Sequence, residues 1–227
     1  MQAIRSQHEV ADASASGRSK ITNEYLLVRE VAHRLNNEYA SLIGFTSVFA
    51  ARSGSVEVKA ALSEVTDLLH KYAKVHRALQ MPTCSTTIDA SCYVRTLCQA
   101  IKQASLDRKS IELVVADSPL QLHSEQCWKL GMIISELITN SARHAFGEGG
   151  GTIRIELSTF GPFAQCSFMD NGSSKHSSTP GQGLTIIDAL ANELNGEIIH
   201  RFESNGATSV LLFPISGENL RAKTIGV

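Results

Sequence analysis

Two stretches of the chain repeat apolar side chains in alternating steps of three and four. Tyr25, Val28, Ala32, Leu35, Tyr39, Leu42 and Phe49 form the first, with Thr46 in its one polar slot. Val58, Leu62, Val65, Leu69, Tyr72 and Leu79 form the second, with His76 in the remaining slot. This spacing lays one stripe along one side of an α-helix and is the pattern of a bundle seam. A short break at 52–55, containing Gly54, separates the stretches, and Met81-Pro82 ends the second. The pattern predicts a helical hairpin. A lone hairpin leaves half its seam wet, so two hairpins packed across a dimer axis as a four-helix bundle is the economical arrangement.

After Pro82 the period changes. Thr86–Asp89 reads as a short strand, Ala90–Leu106 as a helix, Ile111–Val115 as a strand and Glu125–Phe146 as a long helix. Thr152–Phe160 and Phe163–Met169 alternate like paired strands around Gly161-Pro162. Asp170–Gln182 is rich in Asn, Gly, Ser and Pro and reads as a loop, followed by a helix over Leu184–Leu194. Glu197–Phe202 and Thr208–Phe213 close the chain as strands around Asn205-Gly206. The predicted fold class is α+β, a helical hairpin followed by an α/β sandwich with helices on one sheet face. The expected division is a hairpin domain over 21–82, a sandwich domain over 83–215, and flexible tails at 1–20 and 216–227.

Composition narrows the field. Hydrophobic residues make up 43% of the 227, enough for a packed core. Lys and Arg number 21 against 22 Asp and Glu, and this near-balance argues against binding to nucleic acid or an anionic membrane through bulk charge. No apolar run approaches the ~20 residues of a membrane span, and the N-terminus shows no signal-peptide core. Five cysteines without a CxxC pair point away from a disulfide framework or zinc site and toward a reducing cytoplasm.

Four constellations could carry chemistry. His33 lies one step off the seam, so its ring should flank the bundle and meet solvent, where a neutral imidazole is a good nucleophile. Asn37, one turn on, could orient the ring or a water. Glu136, Asn140 and His144, spaced i, i+4, i+8, share a helix face with Arg143, while Ile133, Ile134, Leu137 and Ile138 turn to the core. On that face an Asn oxygen suits Mg2+ and an Arg suits phosphate. Asp170-Asn171-Gly172 follows a strand and Gly181-Gln182-Gly183 opens a helix. A strand-end carboxylate can accept from an exocyclic amine, and glycines before a helix let backbone N–H groups approach phosphate. Asn205-Gly206-Ala207-Thr208 opens the last strand. Each alone also reads as a solvated face or an ordinary turn.

Their order and spacing make them one signal. EVAHRLNNEYASLIG resembles the phosphoacceptor helix of sensor histidine kinases related to the HWE class, and ISELITNSARHAF resembles their N-box. MDNG and GQGL resemble the two glycine boxes, and GATSVLLFP resembles the closing strand of the GHKL-type (Bergerat) ATPase fold. The resemblance covers about residues 21–215, with its motifs in family order. It implies phosphorylation of His33 on a ring nitrogen, with Asn37 as its polar neighbour. It implies Mg2+ held by Asn140, Glu136 orienting water or the metal shell, and Arg143 and His144 near the phosphates. It further implies that Asp170 takes the adenine amine, supported by Thr208 through water, and that Gly172, Gly181 and Gly183 shape the nucleotide loop.

The sequence departs from the family in three places. Ser174 stands where the first glycine box usually has a second glycine, the lid over Ser173–Pro180 has eight residues, and the class's tryptophan-x-glutamate motif is absent, Trp128 being the one tryptophan. The leading expectation is a dimeric cytoplasmic kinase that moves the terminal phosphoryl group of ATP to His33 and on to a response-regulator receiver Asp, with a separate sensor protein or further chain supplying the signal. Two alternatives remain: a phosphotransferase or response-regulator phosphatase with a weakened nucleotide pocket, and a non-catalytic receiver-docking module.

Overall fold

The computed structural model describes residues 27, 29–80, 86–147, 149–173 and 182–215. The chain forms two compact units that divide between Thr66 and Asp67. The expected tails, Tyr25 and Val28 of the first seam, Met81-Pro82, and the loop from Ser174 through Gly181 lie outside the described residues.

Helix α1 runs over 29–52 and α2 over Val56–Ala78. The first unit contains α1 and the first half of α2, the body of the hairpin. Ser55 starts α2 by accepting the Val58 N–H on its hydroxyl at 3.3 Å, which satisfies one of the orphan donors of a helix start. Two faces of α1 are apolar. Ala32, Leu35, Tyr39, Ile43, Thr46 and Ala50 are half-buried, as are Leu62 and Thr66 of α2. Thr66 donates its hydroxyl hydrogen to Thr46 Oγ1 at 2.8 Å, a polar rung across the hairpin. Val31, Leu42, Phe45 and Phe49 of α1, and Val58 and Val65 of α2, are exposed. Leu42, Phe49, Val58 and Val65 were expected in the seam. They form the part of it that one hairpin cannot cover.

The second unit takes in the end of α2 and everything after it. Strand β1 (Thr87–Asp89) pairs with β3 (Gln121–His123) in a small antiparallel sheet. Helix α3 (Ala90–Ile101) is capped by Asp89, which accepts the Cys92 N–H at 3.0 Å, and continues into a π turn over Lys102–Leu106. The main sheet contains β2 (Ile111–Asp117), β4 (Gly151–Phe160), β5 (Phe163–Asp170), β6 (Glu197–Glu203) and β7 (Gly206–Pro214), in the order β2-β4-β5-β7-β6. The β2–β4 pair is parallel and the others antiparallel. Helices α4 (Ser124–His144) and α5 (Gln182–Glu193) complete the unit. The α+β architecture is the one expected.

Alternation along the strands sets the core. Ile153, Ile155 and Leu157 of β4, Ala164, Cys166 and Phe168 of β5, and Leu211 and Phe213 of β7 are all buried at paired positions on one face. Leu130, Ile133, Ile134, Leu137 and Ile138 of α4 join the same core. Tyr93 and Trp128 secure the end of α2, donating to the carbonyls of Ala78 at 3.1 Å and Leu79 at 2.9 Å, acceptors a helix end leaves free. Cys98, Cys127 and Cys166 are buried, and burial pushes each thiol up to about 12, so none of the three is a nucleophile near neutral pH.

Phe213 is fully buried and Phe160 is 70% exposed. Denaturant unfolding should therefore show Phe213→Ala costing about 3–5 kcal/mol and Phe160→Ala less than about 0.5 kcal/mol. Equal losses would contradict the assigned strand faces.

Candidate functional site

His33 is exposed on α1 in the hairpin unit. Its Nδ1 lies 3.3 Å from Asn37 Nδ2, one turn on, as the i, i+4 spacing requires. Arg34 donates to Glu30 at 2.8 Å beside it; that hydrogen bond lowers the Glu30 pKa and raises that of Arg34. The imidazole thus stands in water between a polar amide and an ion pair.

The other candidates belong to the second unit. Asp170 ends β5 with its side chain on the helix-covered face. Its Oδ1 accepts the backbone N–H groups of Gly172 at 3.0 Å and Ala207 at 3.2 Å, and its Oδ2 accepts the Ser141 hydroxyl at 2.5 Å. Two tight approaches hold the carboxylate in place. A Cβ on Gly172 would strike the Ala145 carbonyl at the end of α4. Gly206 has φ 149°, and a Cβ there would strike the Asp170 carbonyl. Both positions therefore demand glycine.

A few residues along α4, Glu136 and Asn140 are half-buried. Gly183, in the first turn of α5, sits against both. A Cβ on Gly183 would come 2.5 Å from Glu136 Oε1 and 3.0 Å from Asn140 Nδ2. Ser141, the next residue of α4, then leads to Asp170. Glu136, Asn140, Asp170, Gly172 and Gly183 are therefore gathered at one end of the sheet. Arg143 and His144 are exposed on the last turn of α4.

Two expected members are not placed in this cluster. Gly181 lies outside the described residues. Thr208 is opposite Met169, one step out of register with Asp170, whose partner is Ala207. Paired residues of neighbouring strands share a face, so the Thr208 side chain leaves from the opposite side of the sheet. Support for the carboxylate comes instead from Ser141, which sequence reasoning passed over. The available signal was a small polar residue directly after Asn140 at a position where α4 turns inward.

The residues present fit a purine with a polyphosphate. A carboxylate oxygen has two lone pairs, and Oδ2 uses one on Ser141, which leaves one for an exocyclic amine. Gly183 lets the start of α5 approach Glu136 and Asn140 more closely than a residue with a side chain could. Among the described residues no three His, Cys, Asp or Glu side chains converge as a metal site. A divalent cation would therefore depend on the phosphates, with Asn140 and Glu136 as protein donors. Ser141→Ala should leave a partly buried carboxylate short of one charge-assisted hydrogen bond and cost about 1.5–3 kcal/mol in denaturant unfolding; an unchanged midpoint would contradict this bond.

Residues 30–105 match the HisKA_2 histidine kinase family model. The sensor histidine kinase PdtaS of Mycobacterium tuberculosis is 30% identical over 214 residues, covering 90% of this chain and 42% of the relative. The chain thus spans less than half the length of the curated relatives it matches. The histidine kinase domain of the Erythrobacter litoralis EL346 blue-light activated histidine kinase shares the fold, with a TM-score of 0.57 at 17% identity, covering 78% of this chain and 96% of that one. A bacterial phosphotransferase also shares it, with a TM-score of 0.57 at 9% identity, over 83% of this chain and 95% of that one. No helix among the described residues is long and apolar enough to cross a membrane. Residues 30–105 are thus the chain's HisKA_2-like segment, and most of the chain is similar in sequence to a sensor histidine kinase.

Proposed function

We propose that the chain is a protein histidine kinase of two-component signalling, which binds ATP in the second unit, phosphorylates His33 in the first, and passes the phosphoryl group to an Asp of a response-regulator receiver domain. The observation that carries this reading is the gathering of Asp170, Asn140, Glu136 and Gly183 at one end of the sheet. A docking module needs no such cluster.

Asp170 takes the adenine amine on the free lone pair of Oδ2. Asn140 and Glu136 face the phosphates together with Mg2+, which neutralises phosphate charge, and Arg143 and His144 add donors from the last turn of α4. At His33, a half-turn of the Asn37 amide brings its oxygen to Nδ1–H and leaves the Nε2 lone pair facing solvent. Nε2 attacks the terminal phosphorus, the bond to the bridging oxygen breaks and ADP leaves. The second step moves the phosphoryl group from Nε2 to a receiver carboxylate. Catalysis is then positioning and charge neutralisation. Ser174 and the short lid bear on how tightly nucleotide is enclosed, and they lie outside the described residues.

Incubation with γ-labelled ATP and Mg2+ tests this reading. Wild type should acquire acid-labile, base-stable label, His33→Ala none, and Asn140→Ala less than about a hundredth of the wild-type rate. An unlabelled wild type that exchanges phosphoryl groups with a phosphorylated receiver would establish the phosphotransferase alternative instead.

We further propose that the exposed stripe of Leu42, Phe45, Phe49, Val58 and Val65 is covered by a second copy of the hairpin. Burying each Phe is worth about 1.5–3 kcal/mol. Light scattering at micromolar concentration should find a dimer, and Phe45→Glu with Phe49→Glu a monomer. A monomeric wild type would contradict the bundle.

A further inference from the structure

His200 is a titratable group that the proposed chemistry leaves unused, and its surroundings are unusual. It lies on β6, on the helix-covered face, paired in register with Ser209 of β7. Its Nδ1 is 2.7 Å from Ser209 Oγ and its ring stacks on Phe202 at 6.1 Å between centroids. Its Nε2 is buried without a hydrogen-bond partner among the described residues. The nearest carboxylate is Asp188 of α5, at 3.8 Å, too far for a hydrogen bond. The other charged residue of α5, Glu193, is 3.3 Å from Lys129 of α4. Strand β7 presents no charged side chain to the ring, and Glu197, Arg201 and Glu203 of β6 alternate to the opposite face. Asp188 is therefore the one charge aimed at Nε2 from these elements.

The same helix carries Gly183, five residues before Asp188, against Glu136 and Asn140. We propose that His200 is a positioning residue of the nucleotide site: seated between Ser209 of β7 and Asp188 of α5, it holds α5 on the sheet in its neutral form and releases it when protonated. This rests on the nucleotide reading for its consequence, though not for its geometry.

The sign follows from burial. Desolvation lowers the His200 pKa, and the pull of Asp188 in the other direction is the smaller effect. The proton then binds better when α5 lifts and water reaches the ring. Docking of α5 is fully supported above the ordinary His value of about 6.5 and weakens as the pH falls through the lowered value. Neutral Nε2 gains nothing from Asp188 at 3.8 Å, so the contact is closed by packing and opened by charge.

Hydrogen exchange of the α5 backbone amides, as protection factors at pH 7.5 and 5.5, reads this without nucleotide. Wild type should lose about threefold to tenfold of its α5 protection on acidification, while His200→Gln should lose none. Asp188→Asn, at an exposed side chain, should fold normally and lose more α5 protection than wild type by pH 5.5, because the attraction that partly restores the His200 pKa is gone. Parallel profiles for wild type and His200→Gln, or a loss in Asp188→Asn no deeper than in wild type, would overturn the proposal; if His200→Gln does not fold, the Asp188→Asn comparison decides it. ATP affinity measured on the same proteins, taken as the ratio of wild type to variant at each pH, should follow α5 protection. The nucleotide's own phosphate titration cancels in that ratio. Protection that responds to pH in a protein that binds no ATP at any pH would sink the nucleotide reading and leave the latch standing.

Discussion

A single carboxylate ties the second unit together. Asp170 sits where β5 ends, and its three hydrogen bonds reach α4 through Ser141, the following turn through Gly172, and β7 through Ala207. Each partner comes from a different piece of chain, so fixing the carboxylate also fixes how they meet. The two glycines beside it follow from this constraint. Gly206 lets β7 start against the Asp170 carbonyl, and Gly172 lets the turn fold under the end of α4. The orientation of a carboxylate so held is already set by the fold.

Much of this was legible in the sequence. The heptad steps gave both helices of the hairpin, and the exposure of His33 followed from its place one step beside Ala32. Strong alternation gave the long strands to within a residue or two. The sequence could not say which half of the seam a hairpin covers. Leu42 and Ile43 are both apolar, but only Ile43 turns inward, a choice made by the crossing of α1 and α2 rather than by either helix alone. Strand β3 escaped notice because three residues carry no period, and it exists through its pairing with β1.

The candidate site was legible where spacing along one helix decides contact and illegible where strand register does. Glu136 and Asn140 share a face of α4 by their i, i+4 spacing. Thr208 looked adjacent to Asp170 by motif, yet pairing of Ala207 with Asp170 turns it to the other face. Ser141 and His200 were hidden for a related reason. Each matters through a partner distant in sequence, Asp170 for one, Asp188 and Ser209 for the other, and no local pattern announces such a meeting.

The claim most exposed to test is that Asp170 reads a nucleobase. Titration calorimetry of the whole chain with ATP and Mg2+, against Asp170→Asn, addresses it directly. The account predicts one ATP bound per chain by wild type and at least about tenfold weaker binding by the variant, the cost of turning a charged acceptor into a neutral one. Equal affinity in the two proteins, or no heat of binding from a folded wild type, would contradict it.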